Sequence, residues 1–549
     1  MMSLSFSHVL LLFYFSFVLK TACGIDAPPS VDCRGDGSRC KIFNSQGYWE
    51  DRHNCEAAYA ALPRSEAELV HAVAVAVKRQ QKIRVVSRMA HALPRLVCPG
   101  RQGLIINTQN YDSVIAIDKT AMTITVQAGI MMRDVMEEAA KHGLAVPAMI
   151  YWDGVSAAGV ISTGAHGSGL VGKGSGVYEY VVSMRLVVPA TPSEGYAKVI
   201  TLTEADEDMK AARISLGTLG AISEITFALR PMFKRSVSIA VRDDKDLENE
   251  IEDFLRAYEF ADIEWIPSHG KAVFLTKYGV PVDVPGEGEF AILRGSKVSD
   301  VERDAYQYDT YQSTNDVDAI CNLLESQTIS SVAQGNGFVN DGVRFTGYPV
   351  IGYNHRMQSF GGCQGNGTSN NLKYPKHLDK NDTICLWDRR VHTNMNFDLE
   401  LRVPMSRILN VIEDIKKLRD LNPQKLCDIA DILIRSVKQS EAYLGPPEDV
   451  VAMDLRSYRP REPDTPRWNE DVFEEIEQMV IEKHGGALHW GKSGGYLFGG
   501  LAKRAVNLEK FLIVKERLDP HGIFSNKWTN GLFGRGVEEF KDGCGLDKM

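Results

Sequence analysis

At 549 residues the chain exceeds what one hydrophobic core organises, so two or more domains are expected. A composition of 44% hydrophobic and 24% charged residues, with no low-complexity tract or repeat, excludes a disordered or fibrous protein. The net charge of -9 argues against nucleic acid or an anionic membrane surface as the main partner and favours a small or neutral substrate.

In chain order, Met1 to Gly24 carries an apolar core from Val9 to Leu19 followed by small residues, the pattern of a cleaved secretory signal peptide. A membrane anchor needs about 20 apolar residues and this run is shorter; no later segment is long enough either. The expected mature chain starts near Ile25 and is extracellular or lies in the endomembrane lumen. Export makes the ten cysteines candidates for disulfides, with Cys33, Cys40 and Cys55 clustered in a polar N-terminal extension and Cys363 and Cys385 bracketing a polar loop. The pairing stays open. No C-x-x-C pair points to a zinc site, so no metal is expected.

From Ser65 the spacing of Glu66, Leu69, Val70, Val73 and Val77, ending in Lys78 and Arg79, predicts a helix. Short β-branched runs at Lys82–Ser87, Gly103–Asn107, Ser113–Asp118 and Thr123–Gln127 predict strands, and Met131–His142 a helix closed by Gly143. Further strands are expected at Val181–Val188, Lys198–Leu202, Ala221–Leu229 and Ala272–Thr276, with helices at Asp246–Glu259 and Met405–Leu418. The arrangement is α+β, with a compositional boundary near residue 235.

Seven glycines crowd Gly159 to Gly176, a run that lets backbone approach a ligand and present N–H groups to an anion such as a phosphate. It fits neither a P-loop nor a Rossmann fingerprint, because the glycine spacing is wrong and a strand rather than a helix follows. Farther on, Asn366-Gly-Thr368 and Asn381-Asp-Thr383 are glycosylation sequons inside the Cys363 to Cys385 loop.

Three segments together resemble one family. Val85-Val-Ser-Arg-Met-Ala-His91 with Leu96-Val-Cys-Pro-Gly100 is similar to the pyrophosphate loop of the vanillyl-alcohol oxidase (PCMH-type) flavoproteins. Ser156-Ala-Ala-Gly-Val-Ile-Ser-Thr-Gly-Ala-His-Gly-Ser-Gly169 resembles their second flavin-contacting loop, and His489-Trp-Gly-Lys492 resembles the C-terminal signature of the sugar-lactone oxidoreductases. The likeness runs from about Tyr48 to Trp528 and is closest to the plant L-gulonolactone oxidase-like group.

The resemblance implies a two-lobed FAD-binding domain and an α+β substrate cap. The expected division is a signal peptide at 1–24, a Cys-containing extension at 25–55, the FAD domain at 56–235, the cap at 236–480 and a returning segment at 481–549. Cofactor contacts would come from Val86, Ser87, Arg88, Met89, Ala90 and His91, from Gly159, Ser162, Thr163, Gly164, His166, Gly167 and Gly169, and from Ile222. His91 aligns with a histidine that relatives tie covalently to FAD, but Ser87-Arg-Met-Ala90 replaces the usual glycines, so a covalent and a non-covalent flavin are both open.

Oxidising a lactone's alcohol requires a hydride acceptor, which FAD supplies, and a group that takes the hydroxyl proton. The family uses a Glu-x-Arg pair on one strand, where alternate residues share a face. Two segments compete for that role. Glu400-Leu-Arg402 has both letters, whereas Leu433-Ile-Arg435 sits at the family-like distance but lacks the acid. Arg435, Lys492, His489 and Glu400 are therefore the catalytic candidates, with Lys492 a cation near the flavin. Gln109 aligns where oxygen approaches the ring and matches neither oxidase nor dehydrogenase; the expected exported location favours oxygen, with hydrogen peroxide as co-product. The leading expectation is oxidation of L-gulono-1,4-lactone to an ascorbate precursor. The alternatives are another FAD-linked oxidase, acting on an oligosaccharide or cytokinin, and a wall glycoprotein that kept the fold without the catalytic acid. Oligomeric state is open.

Overall fold

The computed structural model describes residues 31–42, 55–88, 94–151, 154–290, 298–325, 335, 337–340, 345–357, 363–365, 383–385, 395–421, 423–427, 429, 431–459, 468–492 and 505–534. Three sheets carry the architecture. The first is built from β1 (Val31–Asp32), β2 (Ser38–Ile42), β3 (Cys55–Ala61), β4 (Ile83–Val86) and β5 (Leu104–Asn107), in the order β1-β2-β3-β5-β4. β3 and β4 both run parallel to β5, and helix α1 (Glu66–Lys78) makes the crossover. Ser65 caps α1 by accepting the Glu68 N–H, acids fill its first turn and Lys78 its last, so caps and dipole agree with the predicted helix.

The second sheet contains β6 (Val114–Asp118), β7 (Thr123–Gln127), β8 (Val181–Pro189), β9 (Ala197–Thr203) and β10 (Ala221–Ala228), in the antiparallel order β9-β8-β10-β7-β6. Helix α2 (Met132–Lys141) follows β7, and Gly143 leaves its end at φ +74°, the left-handed conformation expected of it. The short helix α3 (Ala157–Ser162) then opens the glycine-rich segment.

The third sheet starts with β11 (Lys234–Asp243) and adds β12 (Asp262–Ile266), β13 (Lys271–Val280), β14 (Val350–Tyr353), β15 (Met395–Pro404), β16 (Ile432–Val437), β17 (Val450–Arg459) and β18 (Ala487–Leu488). Their order is β14-β11-β13-β12-β16-β17-β15-β18. One face of this sheet presents Ile263, Ile434, Met453 and Leu401 to a core shared with helices α4 (Leu247–Ala257) and α5 (Ile408–Leu421). Because strand residues alternate, the other face is charged. Register puts Glu264, Leu433, Asp454 and Glu400 in one cross-strand row, and Asp262, Arg435, Ala452 and Arg402 in the next.

The C-terminal part of the chain reaches two sheets. Leu488 pairs with Leu401 at the edge of the third, while Ile523 and Phe524 enter the core of the first, where Ile83 N–H donates to the Ile523 carbonyl at 2.8 Å. Disulfides join Cys33 to Cys40, Cys55 to Cys98 and Cys321 to Cys427. Cys363 and Cys385 face each other as backbone partners in a small hairpin, and the sequon residues Asn366 and Asn381 lie outside the described residues. Among the described residues no helix is long and apolar enough to cross a membrane.

Candidate active site

The segments expected to hold the cofactor converge where the first two sheets meet. β4 ends at Val86, whose carbonyl accepts the Thr108 hydroxyl at 3.2 Å, and Ser87 and Arg88 follow, with Arg88 at 3.8 Å from Asp112. Met89, Ala90 and His91 lie outside the described residues. Arg84, buried near the end of β4, donates to the Leu216 carbonyl at 2.7 Å, to Gly217 at 3.2 Å and to Phe524 at 2.7 Å. The Leu216 N–H in turn donates to the Ser162 carbonyl at the end of α3, at 2.9 Å. The turn so clamped has Gly217 at φ +63° and Gly220 at φ +155°, and it leads into β10, where Ile222 is buried. Thr163 folds its hydroxyl back onto the Gly159 carbonyl at 3.1 Å, whereas the half-buried Ser162 hydroxyl makes no hydrogen bond with the described residues.

The glycine-rich segment differs from its sequence-based reading in one respect. Instead of a ring of free amides, Gly164, Gly167, Gly169 and Gly174 donate to the carbonyls of Ile161, Ser175, Ser436 and Val171. Their need for glycine comes from the protein itself: a Cβ on Gly167 would lie 2.4 Å from the Met149 oxygen, and one on Gly169 would lie 2.3 Å from the Glu259 oxygen. The loop is a wedge pressed onto the third sheet, held there by Ser168, which donates to the Ala261 carbonyl and accepts from the Ser436 N–H.

That wedge delivers His166 onto the charged face of the third sheet. His166 Nε2 lies 2.7 Å from Glu400 Oε1, and Arg435 reaches both the His166 carbonyl at 3.1 Å and Glu400 Oε2 at 2.9 Å. Arg402 Nε stands 3.3 Å from Glu400 Oε1. Arg435 also pairs with Asp454, whose other oxygen is 2.7 Å from Lys492 Nζ. Lys492 is 2.7 Å from Asp398 Oδ2 as well. His489 completes the cluster, its ring centroid 5.6 Å from that of His166. The two competing sequence assignments are thus one site: Glu400, Arg402 and Arg435 come together from different strands, and the carboxylate absent at Leu433 has counterparts in the same cross-strand row at Asp454 and Glu400.

Protonation follows from the donors. The Gly491 N–H donates to His489 Nδ1 at 2.9 Å, so the neutral ring carries its hydrogen on Nε2 and donates to the Gly164 carbonyl at 3.2 Å. With both nitrogens engaged, His489 has no lone pair for a metal, although the ligand atoms of His166, Glu400 and His489 lie within 4.8 Å of one another. At His166 both neighbours are acceptors, the Gly167 carbonyl at Nδ1 and Glu400 at Nε2, so a proton must lie between His166 and Glu400. Burial lowers both imidazoles, His489 well below its usual range. Burial pushes Glu400 up, but His166, His489 and Arg435 outweigh it and hold the carboxyl well below the usual range. Burial raises Asp454 to about 7 against the pull of Arg435 and Lys492. Lys492 and Arg435 resist burial because their carboxylates keep them charged, raising both above their usual values.

Sequence reasoning missed Asp398 and Asp454. Asp454 left a signal, since it is the one acid among the apolar residues from Val450 to Leu455, but only strand pairing sets it beside Arg435. Asp398 matters because its Oδ1 is buried without a hydrogen-bond partner, an acceptor left over for a ligand.

An α+β scaffold whose third sheet offers this cluster to the glycine loop, together with the family matches that follow, defines a class, the FAD-linked oxidoreductases. Residues 57–191 match the FAD binding domain family, and residues 381–532 match the D-arabinono-1,4-lactone oxidase family. The chain is 39% identical over 559 residues to L-gulonolactone oxidase 5 of Arabidopsis thaliana, covering 99% of this chain and 92% of that protein. It is 38% identical to L-gulonolactone oxidase 2 of Arabidopsis thaliana, covering 98% and 91%. A solvent-stable cholesterol oxidase shares the fold, with a TM-score of 0.69 at 15% identity, over 93% of this chain and 100% of that one. The chain belongs to the L-gulonolactone oxidase family.

FAD fits the residues present. The Ser162 hydroxyl, without a hydrogen bond among the described residues, and Gly217, held at φ +63° beside Arg84, offer a polar contact and a side-chain-free surface beside the end of β4.

The expectation of an exported chain is corrected. A relative 40% identical over 208 residues is named a probable truncated L-gulonolactone oxidase 7, mitochondrial, of Arabidopsis thaliana, and nothing in the comparisons speaks for secretion. The physical reason is that a short apolar N-terminal run followed by small residues does not by hydropathy alone specify one destination. The location argument for oxygen falls with it.

Proposed function

We propose that the protein oxidises an aldonolactone, L-gulono-1,4-lactone by analogy with its relatives, to an ascorbate precursor with oxygen as acceptor and hydrogen peroxide as co-product. In this reading residues 56–235 hold FAD, through the contacts named above and, if covalently, through His91; residues 236–480 form the substrate cap. The single observation that carries the reading is the buried cluster of Glu400, Arg435, Asp454, Asp398 and Lys492 facing His166 of the glycine loop.

When bound, FAD accepts the hydride leaving the substrate carbon. The protein's task is the rest. Asp398 Oδ1, the unpartnered acceptor, takes the hydrogen bond and then the proton of the substrate hydroxyl, while Lys492, shared between Asp398 and Asp454, stabilises negative charge on that oxygen. Arg435 fixes the distance between the cap and the loop through the His166 carbonyl. The proton held between His166 and Glu400 keeps that pair from repelling and fixes the loop against the sheet. Lys492 and Asp398 are the more exposed end of the cluster, which is where substrate enters.

The test is Asp398→Asn in the flavin-loaded protein, followed by stopped-flow reduction with L-gulono-1,4-lactone. Loss of a general base predicts reduction slowed by about 10²- to 10⁴-fold with flavin content unchanged. Reduction at the wild-type rate removes Asp398 from the reaction.

A further inference from the structure

A second polar region lies on the same charged sheet face, where register sets Arg235, Lys277 and Asp262 on the side that carries Arg435. A cavity of about 330 Å³ opens there between the loop, Tyr151 and strands β11, β12 and β13. That is the size at which small-molecule sites begin.

Its charges do not cancel. Lys277 Nζ is 2.5 Å from Asp262 Oδ2, which also accepts the Tyr151 hydroxyl at 2.5 Å, so these three form a closed unit. Arg230 pairs with Glu259 at 2.7 Å. At the rim Lys173 is 2.9 Å from Glu204. Arg235 remains. It is only 5% exposed, and among the described residues no carboxylate lies within ion-pair distance of it. Its Nε donates to Asn354 Oδ1 at 2.7 Å, and its guanidinium lies 3.7 Å from the Phe260 ring centre. These contacts hold the planar fork rigid, and Arg235 lines the cavity with no hydrogen bond from its terminal nitrogens among the described residues. Burial lowers the group to about 10, which still leaves it charged at neutral pH.

A buried guanidinium without a counterion is costly, and a rigid fork matches a carboxylate with two parallel hydrogen bonds. The surplus is a single positive charge, which suits a monoanion better than a phosphate dianion. The Ser175 and Tyr180 hydroxyls in the lining donate to the Ser436 and Gly174 carbonyls and keep lone pairs that can accept from a ligand hydroxyl. We infer that this cavity binds a polyhydroxylated monocarboxylate, a sugar acid, with its carboxylate on Arg235. The ring-opened form of a lactone, made by adding water across the ester bond, is one member of this class. The inference concerns binding and does not depend on which alcohol the protein oxidises.

The experiment is calorimetric titration of the FAD-loaded protein at fixed ionic strength with sodium gluconate, with glucitol as the neutral polyol, sodium acetate as the bare carboxylate and inorganic phosphate. Gluconate is expected to bind at one site, at least 10-fold more tightly than the other three. Arg235→Gln is expected to weaken it by about 10²-fold, the scale of losing one partner of a desolvated charge pair. Arg235→Lys keeps the charge and serves as the variant that preserves folding; its loss is expected to be about 10-fold. Equal binding of gluconate and glucitol, tighter binding of phosphate, or gluconate affinity unchanged in both variants overturns the inference. So does loss of bound flavin in Arg235→Lys, which would make Arg235 a cofactor residue.

Discussion

The two polar patches on the charged face of the third sheet are built from the same residue types but to different ends. Around Glu400 the charges are matched: Asp398, Glu400 and Asp454 stand against Arg402, Arg435 and Lys492, and every carboxylate touches a cation. Around Arg235 the pairs Lys277–Asp262 and Arg230–Glu259 close on themselves and leave one guanidinium over. A matched cluster can receive a neutral molecule and lend it charge only as the reaction develops. An unmatched cation is complete only when an anion arrives. The patches are joined through strand pairing, since Asp262 is the direct partner of Arg435.

The comparison breaks first on stability. Arg435→Met removes the cation shared by Glu400 and Asp454, leaving Glu400 on His166 and Arg402 and Asp454 on Lys492 alone, and is expected to cost about 3–5 kcal/mol, because taking one member from a buried ion network leaves negative charge uncompensated. Arg235→Met strands no carboxylate and removes a desolvated charge, so it is expected to change stability by no more than about 1 kcal/mol. Urea unfolding of the two variants beside the parent measures both. Equal losses would mean that the two patches are not energetically distinct.

Next comes chemistry. Lys492→Ala is expected to slow flavin reduction by L-gulono-1,4-lactone about 10²-fold, the scale of one electrostatic contact to developing charge. Lys277→Ala, whose ammonium is closed off by Asp262 and Tyr151, is expected to leave the same step within a few-fold. Single-turnover spectra of the flavin resolve the two. A loss at Lys277 as large as at Lys492 would merge the patches into one active site.

Much of the scaffold was legible because local signals agreed with the fold. The helix at Glu66–Lys78 has its cap, acids and terminal lysine in order, and the strand Thr123–Gln127 and the later part of Ala221–Ala228 alternate as half-buried strands do. The His489-Trp-Gly-Lys492 segment and the loop at His166 were also readable, and they meet in the site. The remainder depended on pairing across long sequence distance. Nothing local says that Glu400 and Leu433 share a row with Asp454, so the Glu-x-Arg motif looked duplicated in one place and damaged in the other. The glycines were recognised as unusual, but their reason was misread: Gly167 and Gly169 make room for the oxygens of Met149 and Glu259, contacts that sequence cannot display. Charges on a buried strand face are equally ambiguous, because a solvated surface strand has the same alternation.

A third effect is read along the pH axis and concerns Asp454, which sits in the matched patch yet has its carboxyl raised to about 7 by burial. In an unfolded chain the same group titrates near its ordinary value of 3.8. A folded-state value above the unfolded one means that the native protein holds the proton more tightly. This contribution to stability is fully present below about pH 4 and is lost as pH rises through about 7. Wild type should therefore lose stability relative to Asp454→Asn across that window, with a slope of up to about 1.4 kcal/mol per pH unit, the limit for one proton. Replacing Asp262 on the other patch by Asn provides the contrast, because Asp262 is closed onto Lys277 and Tyr151 rather than shared between two cations. Denaturant unfolding at pH 4, 5.5, 7 and 8 gives the difference curves directly. A flat difference between wild type and Asp454→Asn would mean that Arg435 and Lys492 already hold Asp454 ionised throughout, and the matched patch would then be fixed in charge rather than poised to change it.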